Sequence, residues 1–208
     1  MVAKAISLLT CLSWVRGPQK TNECRVSVLI AALLMSLPAL AGPIAISEVS
    51  GYLHYDGALQ TVLSTGSVGY SSTLDANNLG EFGWAVTNST AATLSNVTFL
   101  LFLDADIDRD TNSFFNEYGE FVSLALPVFA PVGAFSAGSW EIDEPGLVFG
   151  DILINLAAGA LDDLNGVPSS APDDVSLALG FSVGSLGPGQ SLITRFAISE
   201  SDIGWSGP

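Results

Sequence analysis

The stretch FLLFLDADIDRDTNSFFNEYGEF, Phe99 to Phe121, passes within a few residues from an apolar strand pattern into a run of acids: Asp104, Asp106, Asp108 and Asp110. If extended backbone continues through the run, period two puts these four carboxylates on one face and Ala105, Ile107 and Arg109 on the other. Like charges at next-nearest positions repel, and one arginine on the opposite face does not neutralise them. A hard divalent cation does, because calcium takes roughly six to eight oxygens, mainly from carboxylates and carbonyls. The frame from Asp106 to Glu117 sets Asp106, Asp108, Asp110, Asn112 and Glu117 at positions 1, 3, 5, 7 and 12 of a calcium loop. Position 6, normally glycine, is Thr111, and a strand rather than a helix precedes the frame, so an EF-hand is not implied. The expected metal ligands are Asp104, Asp106, Asp108, Asp110, Asn112 and Glu117, with Ca2+ as the expected ion. The plainer reading of the same run is a solvated acidic turn that keeps a strand edge from aggregating.

Other constellations carry less. GFSVG (Gly180 to Gly184) matches G-x-S-x-G, but a nucleophile elbow needs a strand-to-helix turn and a histidine later in the chain. Ser182 falls inside an expected strand, and the only histidine, His54, precedes it. In SWEIDEPG, the acids Glu141, Asp143 and Glu144 sit beside Trp140, a potential sugar platform, and a glycosidase needs only two suitably spaced carboxylates. Nothing in the spacing singles that chemistry out, and no catalytic residue or enzymatic activity is expected. Asp162 and Asp163 lie where a helix should end, an unfavourable place for negative charge that a cation would relieve. Asp173 and Asp174 read as a loop pair. Asn88-Ser-Thr and Asn96-Val-Thr match the glycosylation sequon.

Composition has to be read after targeting segments are set aside. Arg25 precedes the apolar run VSVLIAALLMSLPALA (Val26 to Ala41), which ends in Ala39-Leu40-Ala41, a small-x-small cleavage pattern. The run is short for a membrane span of roughly 20 apolar residues. It reads as a secretory signal peptide cut after Ala41, with an unusual N-terminal extension before Arg25. Residues 1–41 are then a leader and 42–208 a single domain, long enough to bury a sizeable core. Both cysteines, Cys11 and Cys24, leave with the leader, so the remainder has no disulfide and no thiolate ligand. So do Lys4, Arg16, Lys20 and Arg25, which leaves Arg109 and Arg195 as the only bases. Such an acidic chain repels nucleic acid and anionic membrane alike, and its natural counter-charge is a cation.

Gly, Ser, Asn and Pro punctuate the rest at short intervals, and the runs between are rich in Val, Leu, Ile, Phe and Thr. That rhythm predicts an all-β fold, an immunoglobulin-like antiparallel sandwich. Strands are expected near 45–55, 59–70, 82–88, 94–105, 120–127, 138–143, 175–184 and 190–199. In FGDILINLAAGALDDLNGVP the spacing of Leu153, Ala157, Ala160, Leu161 and Leu164 predicts one short helix, capped by Asp151 and stopped by Gly166 and Pro168.

The segments DADIDRDTNSFFNEYGEF, SWEIDEPGLVFGDILINLAAGALDDLNGVP and DDVSLALGFSVGSLGPGQS together resemble exported proteins of the PEP-CTERM class, bacterial surface proteins handled by exosortases. The resemblance implies a secreted or surface-attached β-rich domain in a Gram-negative envelope, associated with extracellular polysaccharide and biofilm material. It also favours the calcium reading of Asp104 to Asp110. The class carries a C-terminal Pro-Glu-Pro motif, an apolar span and a basic tail, whereas this sequence stops at DIGWSGP (Asp202 to Pro208), the pattern of a truncated or freely secreted form. The function expected is a structural or adhesive role in extracellular matrix, with polysaccharide or surface proteins as partners, no nucleic acid, and no membrane span in the mature chain. A carbohydrate-binding module using Trp84 or Trp140 is the alternative, and a carboxylate-dependent glycan hydrolase or lyase the third.

Overall fold

The computed structural model describes residues 3–15, 26–35, 44–64, 73–107, 117–122 and 136–199. Among these, ten strands and one helix follow in order: β1 (Ala3–Val15), β2 (Val26–Met35), β3 (Ile44–Tyr55), β4 (Ala58–Ser64), β5 (Gly80–Thr87), β6 (Leu94–Ile107), β7 (Phe121–Val122), β8 (Ser136–Asp143), α1 (Ile152–Ala158), β9 (Val175–Leu186) and β10 (Ser191–Ser199). Period-two patterning places them. In β10, Leu192, Thr194, Phe196 and Ile198 are buried, while Ile193 and Arg195 are half-buried on the other face.

The strands form two five-stranded antiparallel sheets, β5-β10-β1-β2-β7 and β4-β3-β6-β9-β8. The segment read from the sequence as a leader supplies β1 and β2, and β1 pairs with β10 from Ser7↔Ser199 to Val15↔Ser191. The main core lies between the sheets. Phe82 and Trp84 from β5, with Phe196 and Ile198 from β10, meet Phe99, Leu101 and Leu103 from β6 and Leu177 and Leu179 from β9. This is an all-β sandwich.

Strand β6 is central in its sheet and buried on both faces, which explains why FLLFL has no polar alternation. Phe99, Leu101 and Leu103 point into the sandwich, and Leu100 and Phe102 point outward, where they pack with Ala178, Ile152, Leu156 and Leu161. The helix therefore covers the outer face of the second sheet. Burying side chains of this size contributes about 1.5–3 kcal/mol each.

The helix is shorter than its sequence pattern suggests, and it faces the sheet through Ile152 and Leu156; of the expected stripe, Leu153 is half-buried against the same cluster and Leu161 is buried in it, whereas Ala157 and Ala160 are exposed. Asp151 occupies the N-cap position without a side-chain capping bond. Gly159 ends the helix in the left-handed region (φ 78°, ψ 21°), and its N–H turns back to the Leu156 carbonyl at 3.2 Å. Any larger residue there would also strike the buried His54 ring, since an ideal Cβ lies 2.8 Å from Nδ1. His54 Nε2–H donates to the Leu156 carbonyl at 2.8 Å, so the ring pins the end of α1 to β3. Among the described residues, no helix is long and apolar enough to cross a membrane.

Candidate metal centre

Three carboxylates converge beside the helix. Glu141 on β8, Asp151 at the start of α1 and Asp162 after it offer ligand oxygens that all lie within 4.8 Å of one another. Among the described residues this is the one grouping of that kind. Glu141 is 2% exposed, whereas Asp151 and Asp162 are open to solvent.

Local structure explains the convergence. After Gly159 the chain turns back and runs along the edge of β8, where Ile142 and Asn165 form a parallel bridge. Asp163, at φ 60°, exchanges two hydrogen bonds with the Trp140 backbone on β8: its N–H donates to the Trp140 carbonyl at 3.0 Å, and its side-chain Oδ1 accepts from Trp140 N–H at 2.9 Å. Asp162 is thereby set against Glu141, and its own Oδ1 accepts from Leu164 N–H at 2.9 Å. On the other side, Asp143 Oδ2 accepts from Asp151 N–H at 2.7 Å. That carboxylate fits only because Gly150 and Gly166 leave room, an ideal Cβ falling 2.6 Å from Oδ2 at Gly150 and within contact distance of Oδ1 at Gly166.

The electrostatics are unfavourable without a cation. Burial pushes the Glu141 carboxyl up to about 7, against a lowering pull from Asn155 Nδ2, which donates to Oε1 and Oε2 at 3.1 and 3.2 Å. The charges of Asp162 and Asp151 raise it further, and a hydrogen bond from the Asp162 backbone lowers it. Between Ile44 and Ser199 the sequence holds only two bases, Arg109 and Arg195, so acids dominate the whole domain. A divalent cation would replace this repulsion with three direct ligands, leaving remaining positions for carbonyls, water or a ligand. These three acids suit a hard, oxygen-seeking ion.

The run singled out in the sequence is placed as follows. Asp104 and Asp106 lie on one face of β6, and Asp104 Oδ2 accepts from Ser47 Oγ at 2.6 Å. Burial raises the Asp104 carboxyl, and Asp106 and Glu48 add to the rise. Glu117 is buried, and its backbone pairs with Asp173 at 3.0 and 2.9 Å, next to Asp174. Burial pushes Asp174 up to about 6, with Asp104 and Asp106 as the next contributors. Asp108, Asp110 and Asn112 lie outside the described residues.

A carboxylate whose folded pKa exceeds its unfolded one binds more protons in the folded state, so it destabilises above the folded value and is relieved as pH falls toward the unfolded one. For Glu141 that window runs from about 7 down to 4.5, and for Asp174 from about 6 down to 3.8. The cation-free protein is therefore expected to melt a few degrees higher near about pH 5 than near about pH 8. Circular dichroism melts in chelated buffers would check this, and a higher melting temperature at the alkaline end would contradict it.

The other candidates fare differently. Trp84 is 1% exposed within the aromatic core and offers no sugar platform. Trp140 is half-buried and stacks on Phe121 with centroids 4.4 Å apart and planes 5° apart, which occupies one of its faces. Ser182 sits in mid-strand on β9, opposite Thr98 and Ser136, not on an elbow. Asn88 is buried, with Nδ2 donating to the Ala92 and Leu186 carbonyls, so its sequon is inaccessible in the folded chain. No family model, curated protein or solved structure matches the chain.

Proposed function

We propose that this is an exported, acidic β-sandwich stabilised by calcium, with a structural or adhesive role in extracellular matrix of the kind surrounding PEP-CTERM-class surface proteins. The observation that carries the cation is the buried Glu141 carboxylate held within 4.8 Å of the oxygens of Asp151 and Asp162. A bound divalent ion turns a destabilising cluster into a clamp. It would join β8, the head of α1 and the returning loop, three pieces that meet along one sheet edge. Exported domains commonly use calcium in this way at modest affinity. The immunoglobulin-like strand arrangement rests on the strand and turn rhythm of the sequence, the polysaccharide or surface-protein partner on the class resemblance, and the cut after Ala41 on the leader pattern. That cut would remove β1 and β2 and leave β10 and β7 without their neighbours in the first sheet.

Thermal melts with about millimolar calcium and with excess EDTA test the cation. A site filled to roughly 100 times its Kd adds about 2.7 kcal/mol, which corresponds to a rise of about 5–10 °C for a chain of this size. Asp151→Asn with Asp162→Asn is expected to abolish the rise. If Asp106→Asn with Asp108→Asn abolishes it instead, the ion belongs to the run at the end of β6. A melting temperature indifferent to calcium in the unaltered protein would sink the cation reading altogether.

A further inference from the structure

The long sheet edges among the described residues are guarded, except where β1 sits. On the outer edge of β5, Thr73 N–H donates to the Glu81 carbonyl at 2.8 Å, and Thr73 Oγ1 accepts from Glu81 N–H at 3.1 Å. The return of residues 162–166 covers β8. Strand β4 pairs with β3 through a register shift between Leu53 and His54, and it exposes Gln60 and Thr61. Cover, irregular pairing and polar side chains are the usual defences against a foreign strand. On the side that β1 occupies, β10 has none of them. Its sequence, SLITRFAIS, includes no proline, no acid and one base, Arg195, and it pairs with β1 from Ser7↔Ser199 to Val15↔Ser191 with no register shift. Leu192, Phe196 and Ile198 anchor the strand in the core, so its edge keeps its place.

We infer that β10, in the chain cut after Ala41, is an acceptor edge for an extended, apolar, acid-free strand of another protein, added antiparallel where β1 lies. The inference rests on the cut proposed above and adds how a partner is held. Strand β1 shows what the edge accepts: AKAISLLTCLSWV has no acid and one base, Lys4. In strand addition of this kind, main-chain hydrogen bonds supply affinity and alternate side chains supply selectivity. Geometry and charge both oppose a second copy of this chain as the occupant. The order β5-β10-β1-β2-β7 sets β10 and β7 on opposite sides of a gap two strands wide, about 14 Å across, which admits a lone strand or hairpin and not the edge of another folded sandwich. Residues 42–208 hold only Arg109 and Arg195 as bases, so two copies repel.

The test inserts a protease site after Ala41 of the full chain and follows an excess of fluorescent Ala3–Val15 peptide by anisotropy before and after cutting, with circular dichroism on the same samples. Uptake is expected only after the cut, at a single peptide per chain. Peptides N-methylated at Leu9, Cys11 and Ser13, or at Leu8, Thr10 and Leu12, block opposite backbone edges. One set is expected to bind at least about tenfold more weakly, and the other to bind as the parent does. A cut chain that unfolds, or that stays folded and takes up no peptide, overturns the acceptor edge and leaves the cut reading standing. Self-association of the cut chain in place of uptake assigns the edge to a second copy and overturns the partner. So does uptake that neither methylated set weakens, since side chains alone would then hold the peptide. Mass measurement of the exported chain addresses the reading beneath: retention of residues 1–41 would overturn the cut and, with it, a free β10.

Discussion

Phe196→Ala should lower stability by about 4 kcal/mol, the cost typical of emptying a buried aromatic site, and so reduce the melting temperature by roughly 8–16 °C. Phe196 is fully enclosed and lies at the junction of the two sheets. Its ring centroid is 5.3 Å from Phe82, 6.0 Å from Trp84, 5.9 Å from Phe99 and 6.3 Å from Phe181. Phe82 and Trp84 come from β5, Phe99 from β6 and Phe181 from β9, so a single truncation opens a void that none of these strands closes alone. Val62→Ala on β4, where the side chain is 53% exposed, should stay within about 0.5 kcal/mol and serves as the control. Chemical denaturation of both variants checks the comparison. Equal losses would mean that the sandwich interior is not the main support of the fold.

Glu141→Gln is expected to act in opposite directions with and without calcium. In chelated buffer near about pH 8, removing the buried charge should raise stability by on the order of 2 kcal/mol, since each unit by which burial lifts a carboxyl corresponds to about 1.4 kcal/mol and relaxation recovers part of it. The amide keeps the shape of the site and can still accept from Asn155 Nδ2. In calcium the advantage should vanish or reverse, because the buried ligand has lost its charge and the ion its enclosed anchor. Melts of the variant in both buffers check this. A variant less stable than wild type in chelator would mean that the Glu141 charge is already satisfied by protein groups.

From β3 onward most strands were readable from local sequence because their apolar residues alternate and turn residues bracket them, whereas β1 and β2 lie in a stretch whose continuous apolar run and terminal small residues read as a leader. Six of the expected ranges agree with β3, β5, β6, β8, β9 and β10 to within about two residues at most ends. The helix was readable in position but not in extent, since the stripe ran past Gly159 while the left-handed glycine stops the chain there. The candidate site was visible only as fragments. Glu141 was noticed for its acidic neighbours, Asp151 as a cap, and Asp162 as a charge at the wrong end of a helix. What joins them is the return of residues 162–166 along the edge of β8, fixed by Asp163 and by the Ile142–Asn165 bridge. No local periodicity encodes that pairing. The acid run drew attention through its regular spacing, and its strand portion, Asp104 and Asp106, does share a face and does raise a neighbouring carboxyl, that of Asp174.

Calorimetric titration of calcium into the chelator-treated protein, repeated on Asp151→Asn with Asp162→Asn and on Asp106→Asn with Asp108→Asn, addresses the cation most directly. A saturable heat is expected in the unaltered protein, surviving the second pair of substitutions and disappearing with the first. Binding that is absent from the unaltered protein, or that is unchanged when Asp151 and Asp162 are both replaced, would contradict it.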